Sequence, residues 1–375
     1  MSNLQELKNK LCPNGVEFRK LGEVAGVYDG THKTPKYTSS GVKFVSVENI
    51  NNLYATKKYI SEEDYNKYKI KPQIDDVFMT RIGSIGICSL VDSNESLAYY
   101  VSLALLRPNH NYVLSKYLKY IIESSTGKKE LEKRSLLTAI PIKINKNEIG
   151  NIEIPIPPLE LQEEIVNCLD VFTNLISNLE KIITLRKKQY AYYLDELLTF
   201  GEEIEFKKFR DTCIIKSGEF ISPKEILDEK DNLYPCYGGN GLRGYTNKFI
   251  CDGEYSIIGR VGALCGNVNY VSGKFFVTDN ALIVQSKGEY IPKFLYYLLI
   301  SLNLNKYKAG GAQPVIAGKK IYDLSAPLPP IDIQKEIVHY LDQFTTLISL
   351  LEKKLELTKK QYAYYRDELL RFERK

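Results

Sequence analysis

Hydrophobic residues recur with the same spacing along two separate stretches of the chain. In the first stretch, which is interrupted at Arg186, these positions are Ile165, Leu169, Phe172, Ile176, Leu179, Ile183, Tyr190, Tyr193 and Leu197. In the second, interrupted at Thr358, they are Ile337, Leu341, Phe344, Ile348, Leu351, Leu355, Tyr362, Tyr365 and Leu369. Alternating steps of four and three residues are typical of a coiled-coil seam. Each stretch follows a proline pair and predicts a helix of about 38 residues, roughly 57 Å long.

The two helices belong to a longer internal repeat. Residues 155–200 return as residues 327–372 with about two thirds of the positions identical, and residues 16–30 are weakly echoed by 204–218. The segments between these repeated parts show little resemblance to each other. The chain is therefore predicted to consist of two tandem half-molecules with a shared frame and divergent inserts.

The direction in which the two helices pair is open on connectivity alone, because a whole insert separates them and the chain can return from either end. The duplication favours an antiparallel pair, since two equivalent halves related by a twofold axis place their inserts at opposite ends. Pairing between two chains, and a scaffold role unrelated to target recognition, are the alternatives.

The inserts are predicted to be mixed α/β modules. The first has strand-like stretches at 41–50, 75–91 and 97–108, then a helix near 115–124. The second has strand-like stretches at 253–271 and 274–285, then a helix near 291–302. The predicted fold is α+β: two mixed α/β modules separated by two long helices, which pair as an antiparallel coiled coil in a pseudo-twofold, cyclic internal repeat.

Composition narrows the class of protein only modestly. A length of 375 residues suits two or three domains, and a net charge of +5 is compatible with nucleic-acid binding without establishing it. Seven cysteines without a CxxC pair, no signal peptide and no long apolar run predict a soluble, cytoplasmic protein without a disulfide framework or zinc site.

Catalytic motifs are nearly absent. The three histidines, His32, His110 and His339, lie in unrelated contexts, and there is no Walker A loop or methyltransferase-type Asn-Pro-Pro-Tyr motif. The segment GNGLRG at 239–244 matches GxGxxG, but it follows a turn-like stretch and does not lead into a helix, which argues against dinucleotide binding. A non-catalytic chain is the expectation.

The two helices end in nearly the same sequence, KKQYAYYLDELL and KKQYAYYRDELL. A helix that only pairs with its neighbour can vary its outer face, so matching outer residues predict two identical docking sites for a partner protein; recent duplication is the alternative. The candidate docking residues are Lys188, Tyr192, Asp195, Lys360, Tyr364 and Asp367.

These blocks, together with LCPNGVEFRKLGEV, YGGNGLRGYTNKF and GRVGALCGNV, resemble the specificity subunit of type I restriction-modification systems over essentially the whole chain. The resemblance implies an N-terminal segment (1–15), target recognition domains at 16–154 and 204–326, and conserved helical regions at 155–203 and 327–375. It also implies two methyltransferase subunits as partners and, in the full complex, restriction subunits. S-adenosylmethionine, ATP and Mg²⁺ would be bound by those partners and no cofactor by this chain.

A subunit of this kind is expected to read a bipartite double-stranded DNA target, one half per module, with a gap set by the helices. Lysine, arginine and loop amides suit phosphate contacts, whereas base discrimination needs polar side chains in the major groove. The candidates in the first module are Thr31, His32, Lys33, Thr34, Lys36, Tyr37, Arg81 and Ser84. Those in the second are Tyr237, Asn240, Arg243, Tyr245, Arg260, Gln313 and Lys319. Each of them has the alternative of an ordinary exposed turn residue. The glycines Gly83, Gly86, Gly259 and Gly262 are expected to serve tight bends.

Two other classes of protein keep the same architecture. A stand-alone regulator with two DNA-binding heads would bind DNA tightly without a methyltransferase, and a coiled-coil scaffold would ignore DNA sequence. The mild net charge favours dependence on partners. The DNA target, the gap length, the presence of a restriction subunit and the oligomeric state of the isolated chain are open from the sequence.

Overall fold

The computed structural model describes residues 2–231, 233–262, 264–310 and 314–375. The chain forms two compact units. Unit 1 comprises Met1–Glu180 and Lys354–Lys375, and unit 2 comprises Lys181–Lys353. Each unit therefore contains one module and a part of each long helix.

Unit 1 combines short helices with three small sheets. Its helices are α1 (Ser2–Leu11), α2 (Leu21–Val24), α3 (Glu62–Asn66), α4 (Ser115–Glu123), α5 (Ser125–Arg134), α6 (Lys146–Gly150) and the first part of α7 (Leu159–Leu198). Its strands are β1 (Glu17–Lys20), β2 (Ala25–Asp29), β3 (Val42–Val45), β4 (Tyr59–Ile60), β5 (Val77–Thr80), β6 (Cys88–Leu90), β7 (Leu97–Tyr99), β8 (Leu103–Pro108) and β9 (Glu153–Ile156).

The sheets of unit 1 have the orders β2-β8-β5-β6, β4-β3-β7 and β1-β9. The predicted strand 41–50 is shorter than expected, because Ser46 and Asn49 form a capping box that starts a 3-10 helix, Val47–Asn49. The predicted strand 75–91 is two strands, β5 and β6, and the predicted helix near 115–124 is α4. Helix α4 packs against β5, β6 and β8.

Unit 2 contains a single larger sheet. Its helices are the second part of α7, α8 (Phe209–Thr212), α9 (Pro292–Ser301), α10 (Gly318–Tyr322) and most of α11 (Ile331–Leu369), whose last part belongs to unit 1. Its strands are β10 (Phe206–Lys208), β11 (Cys213–Ser217), β12 (Tyr234–Gly238), β13 (Gly241–Thr246), β14 (Cys251–Gly259), β15 (Val268–Val277), β16 (Ala281–Ser286) and β17 (Ser325–Pro327).

The main sheet of unit 2 has the order β11-β16-β14-β15-β12-β13, and β10 pairs with β17. Among the described residues of the main sheet, β12 and β15 are the only parallel neighbours, and the other pairs are antiparallel. The predicted strand 253–271 is divided between β14 and β15, and the strand predicted at 274–285 is divided between β15 and β16. Helix α9 packs on β14, β15 and β16, as α4 packs on the sheet of unit 1.

The two long helices predicted from the periodicity are present and contain 40 and 39 residues. Within unit 1 the rings of Phe172 and Tyr365 lie 5.5 Å apart, and Lys359 forms an ion pair of 2.7 Å with Glu180. From Phe172 to Glu180 the residue number on α7 increases, whereas from Tyr365 to Lys359 the number of the contacting residue on α11 decreases. The segments of α7 and α11 that share unit 1 therefore run in opposite directions.

The same contacts occur in unit 2. The rings of Tyr193 and Phe344 lie 5.3 Å apart, and Lys187 forms an ion pair of 2.7 Å with Glu352. Several seam positions are buried in their own unit, among them Ile165, Leu169, Leu179, Ile183, Ile337, Leu341, Ile348 and Leu369. The heptad spacing thus corresponds to side chains that are withdrawn from water.

Candidate functional site

Each module carries an arginine directly after a central strand. Arg81 follows β5; its amide donates to the Ser102 carbonyl (3.0 Å), and its own carbonyl accepts from the Ile144 amide (3.0 Å). Arg260 follows β14 and makes the equivalent contacts, donating to Asn280 (3.0 Å) and accepting from Ile316 (2.9 Å). The two arginines therefore occupy equivalent places, and each is hydrogen-bonded to the segment just before a short helix, α6 in the first module and α10 in the second.

The two arginine side chains have different surroundings. The side chain of Arg81 is 9% exposed, and its guanidinium forms an ion pair with Asp29 at the end of β2 and donates from Nε to the Ile144 carbonyl (3.1 Å). At the corresponding end of β11 stands Ser217, whose hydroxyl accepts from Nη1 of Arg260 at 2.7 Å. The Nε of Arg260 is buried without a hydrogen-bond partner in the described residues. Arg81 is thus held by a carboxylate and a carbonyl, whereas the hydrogen bond recorded for the Arg260 side chain is to a neutral hydroxyl.

Glycines shape the bends next to both arginines. Gly83, Gly86 and Gly262 have φ values of 79°, 88° and 89°, in the left-handed region that glycine adopts without strain, as expected for tight bends. Gly259 is different: it has no positive φ, and an added Cβ would lie 2.2 Å from the Gly239 carbonyl oxygen. Its role is the close approach of two segments, which corrects the expectation of a bend.

The candidate loop of the first module follows β2. Thr31 is fixed by backbone hydrogen bonds with Tyr99 (3.1 Å) and Val101 (3.0 Å). The side chains after it are exposed: His32, Lys33, Thr34 and Lys36. Tyr37 is 44% exposed and packs edge-on against Phe44, with ring centroids 5.7 Å apart. Ser84 is exposed in a separate turn, where its carbonyl accepts a hydrogen bond from Thr80.

This loop lines an open cavity of about 750 Å³ in unit 1, together with lysines that the sequence analysis did not single out. The lysines at the cavity are Lys33, Lys36, Lys67, Lys69 and Lys146. Lys67 forms ion pairs with Asp64 and Glu63. The other four have no ion pair with described residues, so their charges are available to an anionic ligand such as a phosphate backbone.

The candidate loop of the second module is the hairpin formed by β12 and β13. Asn240 is exposed in its turn and Arg243 is exposed on β13. Gly239 lies against the strand end that carries Arg260, because a Cβ there would be 3.7 Å from the Gly259 Cα. The GNGLRG segment is therefore a hairpin and not a strand-to-helix turn.

Two tyrosines flank the hairpin. Tyr237 packs edge-on against Phe275 at 5.9 Å, and burial raises the pKa of its hydroxyl, which stays protonated at neutral pH. Tyr245 is half-buried and exchanges backbone hydrogen bonds of 2.8 Å with Leu227. Lys319 is exposed on α10, and Gln313 lies outside the described residues.

The candidate docking residues are only partly equivalent. Tyr192 and Tyr364 are 60% and 62% exposed, and each ring packs against the following tyrosine at 5.3 Å. The aspartates differ: Asp195 is exposed, whereas Asp367 is half-buried and accepts a hydrogen bond of 3.0 Å from the Ser125 amide at the start of α5. Unit 2 has no helix corresponding to α5 within its described residues.

The two docking lysines also differ. Lys188 and Lys360 are both exposed, but Lys360 forms an ion pair of 2.6 Å with Glu356 on its own helix. One heptad before each exposed tyrosine lies an exposed leucine, Leu185 (59%) or Leu357 (51%). These leucines were not predicted from the sequence, although the repeat places each of them seven residues before an outward-facing tyrosine.

Other kinds of site find little support in the described part of the chain. No group of three or more His, Cys, Asp or Glu side chains is placed to hold a metal ion there. Five of the seven cysteines are buried, and no disulfide bond joins any of the described residues. Among the described residues, none of the helices is long and apolar enough to cross a membrane.

Comparison with known sequences gives a consistent result. The family model described as "Type I restriction modification DNA specificity domain" matches residues 13–186 and 201–359. The chain is 40% identical over 202 residues to the EcoprrI specificity subunit of Escherichia coli, an alignment covering 52% of this chain and 50% of the relative. The chain thus spans about half the length of that relative. The EcoR124I/EcoR124II specificity subunit of E. coli is 27% identical over 425 residues, covering 99% of this chain and 98% of the relative.

Solved structures resemble the chain over nearly its whole length. The crystal structure of a type I restriction-modification S subunit from M. genitalium has a TM-score of 0.65 at 17% identity and covers 96% of this chain and 97% of that one. A chain from a study of complex assembly in the type I system has a TM-score of 0.59 at 17% identity, covering 96% and 98%. At these identities the likeness establishes the fold alone.

Proposed function

The chain belongs to the type I restriction-modification DNA specificity family, and from this premise we propose that each module reads one half of a bipartite double-stranded DNA target. The recognition domains are residues 16–154 and 204–326, and the long helices fix the unread gap. The observation that carries this proposal is the duplicated frame: the same backbone hydrogen bonds hold Arg81 and Arg260 in two modules whose loops differ.

A pseudo-twofold, antiparallel coiled coil is the second part of the proposal. It is supported by helix contacts that use the same repeat positions with the helices exchanged: Phe172 with Tyr365 in unit 1, and Phe344 with Tyr193 in unit 2. The ion pairs repeat in the same way, at Lys359–Glu180 and Lys187–Glu352. Two target halves separated by a fixed gap are the natural ligand of such a frame.

Contacts with DNA fall into two kinds. In the first module the unpaired lysines around the loop 31–37 suit the phosphate backbone, because they offer charge without a fixed geometry. In the second module Arg260, Asn240 and Arg243 suit base edges in the major groove. We propose that Arg81 holds its loop in place and makes no base contact, because its guanidinium is taken up by Asp29 and the Ile144 carbonyl.

We further propose that the chain itself is not catalytic and that methyltransferase and restriction subunits carry out the reactions in the cytoplasm. Two methyltransferase subunits dock at the helix ends around Tyr192 and Tyr364, where exposed leucines and tyrosines support an apolar contact. S-adenosylmethionine, ATP and Mg²⁺ bind to the methyltransferase and restriction subunits. The net charge of +5 supports this dependence, because a weakly basic chain gains much of its DNA affinity from a larger clamp.

The test is co-expression with the cognate methyltransferase subunit in a host that lacks adenine methylation, followed by mapping of modified adenines. One bipartite motif with a constant gap is the expected result, and the methyltransferase expressed alone is the control. A stable complex without modification would favour the scaffold, and tight DNA binding by the isolated chain would favour a stand-alone regulator.

A further inference from the structure

In each unit the long helix holds the neighbouring module helix through a glutamine and an aspartate. In unit 1, Gln162 on α7 is fully buried; its Oε1 accepts from the amide of Leu114, the residue before α4, at 2.9 Å. Its Nε2 donates to backbone carbonyls before α4 and before α7 at 2.8 and 2.9 Å. Further along α7, Asp170 accepts from the Tyr120 hydroxyl and the Lys116 ammonium, both at 2.6 Å.

Unit 2 repeats this arrangement atom for atom. Gln334 on α11 is fully buried and accepts at 2.8 Å from the amide of Ile291, the residue before α9. Its Nε2 donates to carbonyls before α9 and before α11 at 3.0 and 2.9 Å. Asp342 accepts from the Tyr297 hydroxyl at 2.5 Å and the Lys293 ammonium at 2.7 Å. We refer to each set of residues as a joint.

Two attachment points define an orientation, whereas one does not. The glutamine and aspartate of a joint are eight positions apart, or about 12 Å along the helix axis. A module helix held by a single contact can pivot about it, but one held at both places cannot. Burial raises the pKa of the Tyr120 and Tyr297 hydroxyls, so both remain donors to their carboxylates at neutral pH.

The orientation of the module helix is transmitted to the rest of the module. Helix α4 packs on β5, β6 and β8, and α9 packs on β14, β15 and β16. Arg81 follows β5 and Arg260 follows β14. Both candidate DNA-contacting segments are therefore attached to strands on which α4 or α9 packs. A small rotation of α4 or α9 relative to the long helix therefore displaces the DNA-contacting segment of the same module.

The joint residues stay the same where the inserts have otherwise diverged. The first module folds its sheet strands into a four-stranded and a three-stranded sheet, and the second has one sheet of six strands. The module helices nevertheless present Lys116 and Tyr120 in one case and Lys293 and Tyr297 in the other, at the same helix positions. A need for core packing alone does not explain the retention of four polar contacts.

We propose that the two joints are positioning devices that make the chain discriminate between DNA targets with different gaps. Their residues do not touch DNA; they fix the angle of each module on its helix and thereby the distance at which both modules can engage their half-sites. This inference rests on the proposed bipartite function and adds to the helices a second determinant of gap length.

The test uses the double variant Tyr120→Phe/Tyr297→Phe in the complex with the methyltransferase. Affinity is measured for duplexes with the mapped gap and for duplexes with one base pair added or removed. Each substitution deletes one hydrogen bond to a charged group, and we expect the preference for the mapped gap to fall by about tenfold. Affinity for the mapped gap itself is expected to change less.

The matched control is Tyr99→Phe, which removes a buried hydroxyl that has no hydrogen-bond partner among the described residues and is expected to leave the gap preference unchanged. An equal loss of affinity at every gap length would reduce the joints to a structural role and overturn the inference. A wild-type complex without any gap preference would instead refute the proposed function. If the double variant fails to fold, Lys116→Met/Lys293→Met tests the same carboxylates from their solvent side.

Discussion

The two units share a frame but differ in the surroundings of an arginine that both modules place identically. In unit 1 Asp29 ends β2 and pairs with Arg81; in unit 2 Ser217 ends β11, and the Nε of Arg260 has no hydrogen-bond partner among the described residues. A charge-assisted pair restrains an arginine more strongly than a neutral hydroxyl does. One residue at a strand end thus decides whether the arginine is paired with a carboxylate or with a neutral hydroxyl.

The largest expected difference is in stability. Arg81→Ala leaves Asp29 without its partner in a mostly buried place and should lower the free energy of unfolding by about 3 kcal/mol. Arg260→Ala should lower it by less than about 1 kcal/mol. Urea denaturation of both variants measures the contrast. Arg81→Lys, which keeps the charge, is the control, and equal losses for the two alanine variants would contradict the comparison.

The second prediction concerns DNA binding. Arg260→Ala should weaken binding to the specific target by about 2 kcal/mol, the size of one good base contact, and affect nonspecific DNA much less. Fluorescence anisotropy with target and scrambled duplexes at one salt concentration measures this difference. Equal loss on both duplexes would identify Arg260 as a phosphate contact.

An exchange of partners sharpens the comparison with a smaller effect. Ser217→Asp gives Arg260 the carboxylate that Arg81 has, so we expect specific affinity to fall by about 1 kcal/mol while the fold is retained. Ser217→Asn, similar in shape but uncharged, is the matched control for this variant. A Ser217→Asp protein with unchanged specific affinity would show that the aspartate does not tie the arginine down.

The smallest expected effect is at the helix ends. Lys188→Glu should weaken association with the methyltransferase by about 0.5 kcal/mol, and Lys360→Glu by less, because Lys360 already pairs with Glu356. Titrated pull-downs, with charge-neutral Lys→Met variants beside each, measure both. If neither Lys→Glu variant changes association, the helix ends are not the docking face.

The sequence was informative where one periodic pattern runs over many residues. The long helices, their start after the proline pairs and the module helices near 115 and 291 all follow from local spacing. The strand predicted at 41–50 was too long because a side-chain cap at Ser46 outweighs strand propensity over a few residues. Helix α5 was missed because its exposed face is polar and only Leu131 and two other residues are buried.

The candidate site depended more on contacts distant in sequence. Arg81 was a reasonable base-contacting candidate from its glycine-flanked turn, but Asp29 lies 52 positions away and only the fold brings it near. The same is true of Gln162 and Asp170, whose partners in the first module are 48 to 54 positions away. Polar residues on a helix read as solvent-facing in a single sequence, and only tertiary structure reveals that they are buried.

The strand pairs β1–β9 and β10–β17 have a consequence for how such a chain can change. Each pair brings the first and last strands of a module side by side, with Glu17 opposite Ile156 in unit 1 and Phe206 opposite Pro327 in unit 2. A module whose two ends lie side by side can be exchanged as a unit without altering the helices that it joins. Under the proposed function, recombination at these strand pairs would change the DNA target in a single step and leave the long helices unchanged.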